Sequence, residues 1–259
     1  MTNEPHAELS LPGAMAVGPS SPVVRALVLV RAFLSQEPEP DLATPSAKSC
    51  GLLSGNHLCQ LIDACGLLNG TGLHSAAVAL LRPLEDALDC FAAVTLVEGA
   101  AERWADRNLK PSDAAKLWTV VAGDTFDLDD ARLPDYRRTL RGQFAHYSHC
   151  SYDLCLWDLY FDPQTRDPKS GQLSGLYELN WSGRVINMNA HAVDAHLTAH
   201  LLEFLTILKR SYSSELERRA DVSRNLARLE SEIIPIMDRH NEHGCQNVLV
   251  PPEWRRGNP

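Results

Sequence analysis

A chain of 259 residues that is 44% apolar and 22% charged has material for one substantial core with appendages. Its formal charge of −9 excludes a general nucleic-acid coat or a basic membrane-surface protein, so contact with nucleic acid would need a local basic patch. The seven cysteines (Cys50, Cys59, Cys65, Cys90, Cys150, Cys155 and Cys245) are odd in number and form no CxxC, which points to reduced thiols. MTNEPHAELS has no basic segment leading into an apolar run, and no stretch reaches the roughly 18 apolar residues of a membrane span. The expected location is cytoplasmic, without membrane contact.

Residues 1–22 mix Pro, Gly, Ser and Ala without periodicity and are expected to be disordered. The span 23–49 reads as a short helix and a Pro-rich linker: Val23–Leu34 is very apolar and needs a surface to cover, on its own domain or on a partner, and Gln36–Lys48 holds three prolines. A helical domain then covers 50–242. Leu52–Leu68 is its first helix, stopped by Asn69-Gly70. Leu73–Val97 is the most apolar helix, with Pro83 expected to kink it or mark a start. Shorter helices follow at Ala100–Asp106 and Ser112–Ala122, with Ser112 a candidate N-cap.

Between about 153 and 187 the pattern changes. Asp153–Phe161 and Leu176–Asn187 alternate polar and apolar residues, with a Ser182-Gly183 turn and a polar loop between the two segments. This predicts a small antiparallel β insertion with Trp157 and Trp181 as packing anchors. Ala190–Arg239 is helical in pattern. Ser213-Ser214 and Glu217 offer a capping box that would restart it, and the Arg/Glu-rich second half suggests an exposed arm or an oligomer seam. Residues 243–259 are expected to form an irregular tail.

The chemistry concentrates in Leu133–Cys150, LPDYRRTLRGQFAHYSHC. As a helix it carries one apolar stripe of Leu133, Tyr136, Leu140, Phe144 and Tyr147. Away from that stripe lie Arg138, Gly142, Ala145 and His149, with His146 beside them. The small residues admit a close neighbour, and the ionisable groups could act on it. Arg132, Arg137, Arg138 and Arg141 also supply the local basic patch that the acidic chain otherwise lacks.

Arg141 to His146 reads R-x4-H, and here the chain resembles the HEPN superfamily, small helical bundles in which an R-x4-6-H motif marks many metal-independent ribonucleases. LLRPLEDALD, Leu80–Asp89, is similar to a helix of uncharacterised HEPN-like bacterial proteins. The resemblance implies a stress or phage-defence endoribonuclease, or an RNA-binding protein. In it Arg141, or Arg138, would hold the scissile phosphate and His146 would move protons. It also implies a homodimer, with RNA and an antitoxin-like protein as partners and no cofactor. Gly142 departs from the family, whose active members carry Asn, Asp or His there. Residues five apart lie about 140° apart round a helix, so Arg138 is angularly nearer to His146 than Arg141 is.

His149, Arg82 and Glu85 are supporting candidates. Arg82 with Glu85 and Asp86 stands at i, i+3 and i+4, the spacing of an intrahelical ion pair. His146, His149 and Cys150, and separately His196 and His200, have the spacing of helical metal ligands, with Asp194 the one carboxylate nearby. No metal ligand is assigned from these. The expected fold is mainly α, an up-and-down helical bundle with a small inserted antiparallel β hairpin. The alternatives to a ribonuclease are a non-catalytic homodimeric interaction module and a metal-dependent bundle enzyme.

Overall fold

Among the residues that the computed structural model describes (21–37, 44–126, 142, 159–166, 169, 173–179 and 189–242), there are eight helices and one pair of strands. The chain is mainly helical, as its periodicity predicts. None of the described helices is long and apolar enough to cross a membrane.

Helix α1 is Pro22–Leu34 and opens on a proline, tolerated there because the first helical N–H has no partner to lose. Its buried Ala26, Leu27, Val30, Phe33 and Leu34 join the main core. The surface this helix covers therefore belongs to the same domain. Helix α2, Ala47–Gly70, begins five residues before the expected start, because the Ser46 hydroxyl accepts the Ser49 N–H at 3.1 Å and caps it. It also stops differently from the sequence reading. Gly72, at φ +84°, is the left-handed residue, with Gly72 N–H bonded to Asn69 O and Leu73 N–H to Leu68 O. That pair of bonds is a Schellman stop on Gly72, and it releases the Asn69 side chain for other work.

Helix α3, His74–Leu96, packs back against α2 across this turn and runs straight through Pro83 in sequence. Pro83 is exposed, so the carbonyl it leaves without an intrahelical donor lies on the outer side of the helix. Helix α4 is Ala100–Ala105, entered through Gly99 at φ +74°. Helix α5, Pro111–Phe126, starts on its proline, so Ser112 sits within the first turn and is not the cap. A smaller apolar cluster under α4 joins Cys50, Ala93, Val94, Ala100, Ala101, Leu109 and Ala114.

Strands β1, Leu159–Arg166, and β2, Leu173–Leu179, pair antiparallel with Leu159 opposite Leu179 and Phe161 opposite Tyr177. They overlap the expected strands at 159–161 and 176–179 and extend into the expected polar loop at 162–166 and 173–175. The register shifts between Pro163 and Thr165. A bulge is where a strand accommodates a proline, since the missing N–H then interrupts no ladder bond. Trp157, Trp181 and the Ser182-Gly183 turn lie outside the described residues.

The C-terminal helical region is three helices: α6, Asn189–Ser211; α7, Ser213–Glu217; and α8, Ala220–Glu242. The expected capping box is not formed. The N-cap of α7 is Tyr212, with no side-chain cap bond. Nor is α8 a free arm, since Leu226, Leu229 and Ile233 are buried in the main core and the helix packs on α1 and α6. A narrow apolar stripe suffices to dock a helix whose remaining faces are charged.

Candidate functional site

Helix α6 packs one side against α3 and another against α2, and each contact buries a carboxylate. On the α3 side the sequence of α3 puts Leu81, Leu84, Leu88 and Phe91 into the core, and Glu85 falls within that same stripe. Across from it on α6 stand His196, His200 and Phe204, with Phe204 edge-on to Phe91 at 5.0 Å between ring centres. His200 Nε2 lies 2.5 Å from Glu85 Oε2, and His200 Nδ1 lies 2.6 Å from the carbonyl oxygen of His196. The carbonyl can only accept, so Nδ1 carries a proton, and Nε2 shares a second with the carboxylate. Burial by itself would push the imidazole's pKa down. The Glu85 hydrogen bond and charge, together with the His196 carbonyl, outweigh that and raise it. Glu85 is 1% and His200 4% exposed. A pair so enclosed fixes α3 against α6 and has no room to meet a substrate.

One turn further along α6, Glu203 accepts the indole N–H of the buried Trp118 from α5 at 3.0 Å. This ties a third helix to the seam. Arg82 takes no part in it. Its guanidinium Nε donates to Asp86 at 3.1 Å, the i, i+4 partner, and both side chains are partly exposed. Of the expected trio on α3, Arg82 and Asp86 pair, while Glu85 turns inward to a partner on another helix.

On the α2 side, Asn69 organises a second chain of polar groups. Its Nδ2 donates to the Ala190 carbonyl oxygen at 2.9 Å and to Asp194 Oδ1 at 2.7 Å. These two acceptors fix the amide orientation, so Asn69 Oδ1 faces His74 Nδ1 at 2.8 Å and the imidazole must donate. Asp194 has no cationic partner among the described residues. Burial pushes its carboxyl up to about 6, and the Asn69 hydrogen bond offsets only part of that.

Arg138, Arg141, His146 and His149 lie outside the described residues, as does Cys150. Within that stretch Gly142 is described: it is helical and exposed, and a Cβ built on it would meet no described atom within 4 Å. His196 and His200 do not stand ready as a metal pair, because both ring nitrogens of His200 are engaged by Glu85 and a carbonyl. Among the described residues no three His, Cys, Asp or Glu side chains are grouped to hold a metal ion. Asp194 bonds to Asn69 on the α2 side, away from the Glu85–His200 seam. Cys50, Cys59, Cys65 and Cys90 are free thiols, their pKa values raised chiefly by burial, which makes them poor nucleophiles.

Sequence reading missed the Glu85–His200 pair and the Asn69 hub. The signal for the pair was present: an acid in the apolar stripe of one helix and a base in that of another need each other. Comparison of the chain with protein-family models, with curated proteins and with solved structures gives no match.

Proposed function

We propose that this chain is a HEPN-like endoribonuclease that works without a metal, built as an up-and-down bundle with the paired strands inserted as a hairpin. Arg141, or the angularly nearer Arg138, holds the scissile phosphate through its planar donor fork. His146 takes the proton of the ribose 2′-OH as that oxygen attacks phosphorus, and the departing 5′ oxygen is protonated in turn. The products are a 2′,3′-cyclic phosphate and a free 5′-OH. Two copies facing each other would form the cleft, with His149 at its wall and an antitoxin-like protein as a further partner.

The observation that supports this reading most is Gly142. The residue next to Arg141 is helical and exposed, with no described atom within 4 Å of an added Cβ. An open helical glycine beside the arginine leaves space for a phosphate backbone or a second copy. Glu85, sealed against His200, serves the scaffold in this reading, and Arg82 with Asp86 lies on the partly exposed side of α3. The same open glycine suits a non-catalytic homodimeric module, and activity separates the two.

The test compares wild type and His146→Ala on defined RNA in EDTA. Wild type should cleave, leaving cyclic phosphate ends, and the variant should be slower by about 10² or more. Arg141→Ala and Arg138→Ala then identify the phosphate ligand. Equal inactivity of wild type and His146→Ala removes the catalytic reading and leaves the interaction module.

A further inference from the structure

Between α1, α2 and α6 lies a cavity of about 50 Å³. A single water requires roughly 10–15 Å³ of such space, so the cavity has room for a chain of about three or four heavy atoms. Val24 and Leu27 of α1, Ile62 and Gly66 of α2 and Leu197 of α6 supply an apolar wall, and Asp194 supplies a carboxylate. One oxygen of Asp194 is taken by Asn69. The other accepts no hydrogen bond from the described residues and is not fully enclosed. Asp194 as a whole is only 6% exposed, so this free oxygen opens on the cavity that the residue lines.

Ser21 and the Arg31-paired Asp63 also reach the lining, so Asp194 is its one carboxylate with no counter-charge among the described residues. A mainly apolar sleeve with such a group has a definite complement. We propose that this cavity binds a primary alkylammonium group, its short aliphatic chain against Val24, Leu27 and Leu197 and its –NH₃⁺ on the free oxygen of Asp194. An ammonium supplies the charge-assisted hydrogen bond that this carboxylate lacks. The other charged groups nearby cannot play that part. Asp63 at the cavity wall is paired with Arg31 of α1, and Cys65 of α2 is a neutral buried thiol. His74 of α3 reaches Asp194 only through the neutral amide of Asn69. The site is independent of any role for Arg141 and His146.

The test uses the full chain and n-propylammonium chloride, followed by methyl NMR, with propan-1-ol as the neutral isostere and propionate as the anion. Saturable shifts should centre on Val24, Leu27, Ile62 and Leu197, with propan-1-ol binding about tenfold more weakly or worse and propionate not at all. Asp194→Asn keeps an acceptor for Asn69, so it should fold and should bring the ammonium down to the affinity of the alcohol. Gly66→Ala, whose added methyl would meet only Leu197 Cδ1 at 3.9 Å among the described atoms, should fold and weaken both amine and alcohol. Ammonium binding should fade as pH drops below about 6, where Asp194 takes up a proton. Tighter binding of Nα-acetyl-lysine amide would assign the group to a lysine tip, and weaker binding to a free amine. Equal affinity for ammonium and alcohol in wild type, or ammonium binding that survives Asp194→Asn, overturns the proposal. So does the absence of saturable shifts.

Discussion

Glu85 and Asp194 are both carboxylates buried against α6, and the fold treats them in opposite ways. Glu85 meets an imidazole at 2.5 Å, so the charge it brings into the core has a counter-charge in contact. Asp194 meets a neutral amide at 2.7 Å and lines a cavity, with no cation beside it among the described residues. The first arrangement is a strut, enclosed within the protein. The second remains costly until something cationic arrives or a proton binds. Pairing, more than depth of burial, separates a scaffold carboxylate from one available for binding.

The comparison breaks most visibly at the strut. Glu85→Ala removes the carboxylate in contact with the buried His200 and should destabilise by about 3–5 kcal/mol in urea melts. The double variant Glu85→Leu/His200→Leu removes both charges and should lose far less. His200 has its pKa raised in the fold. The stability it contributes is therefore present in full below the unfolded imidazole value of about 6.5. It is lost as pH rises through the folded value. The double variant should lack this alkaline-side decline. A Glu85→Ala melt within 1 kcal/mol of wild type would mean that the pair adds nothing to the fold.

Asp194→Asn should act in the opposite direction. A carboxyl raised from 3.8 to about 6 in the folded chain makes the native state bind more protons than the unfolded state between those values. Stability must then fall as pH climbs from about 4 to about 6, and stay at the lower level above that. Replacing the acid by its amide removes the penalty. Stability at pH 7 should rise by on the order of 1–3 kcal/mol, while at pH 4 the two proteins should melt alike. A variant less stable than wild type at pH 7 would show that Asp194 is compensated in the fold.

Much of the fold was legible in the sequence because helix periodicity is local. The expected spans 23–34, 73–97 and 100–106 match α1, α3 and α4 to within a residue or two. The ends were less legible, because caps depend on which of several small polar residues the chain selects. Ser46 capped α2 where a linker was expected, and Gly72, not Gly70, stopped it. The strands were displaced because Pro163 and its polar neighbours resemble a loop until a bulge absorbs them. The choice of partner in the buried pairs was hard to read for a different reason. Spacing along one helix offered Arg82 two acids, but the choice of Asp86 over Glu85 was made by His200, 115 residues away. Arg138, Arg141, His146 and His149, the residues on which the ribonuclease reading depends, lie outside the described residues.

The smallest expected effect sharpens the same contrast, since α2 carries glycines on a tight contact and on a loose one. A Cβ on Gly51 would sit 2.7 Å from both Thr95 Cγ2 and the Tyr212 hydroxyl, and one on Gly55 3.2 Å from Leu34 and Phe91. One on Gly66, by contrast, meets nothing among the described atoms closer than Leu197 Cδ1 at 3.9 Å, on the cavity side. Alanine in a helix interior is favoured over glycine by about 0.5–1 kcal/mol, because glycine loses more backbone freedom on folding. At Gly66 nothing opposes that gain, and the new methyl covers part of an underpacked wall. Gly66→Ala should therefore stabilise by about 0.5–1 kcal/mol, with an unchanged urea m-value. Gly51→Ala should destabilise, because Thr95 and Tyr212 would have to move to admit the methyl. If Gly66→Ala were as damaging as Gly51→Ala, the α2–α6 contact would be as closely packed as the rest, leaving no cavity for Asp194 to face.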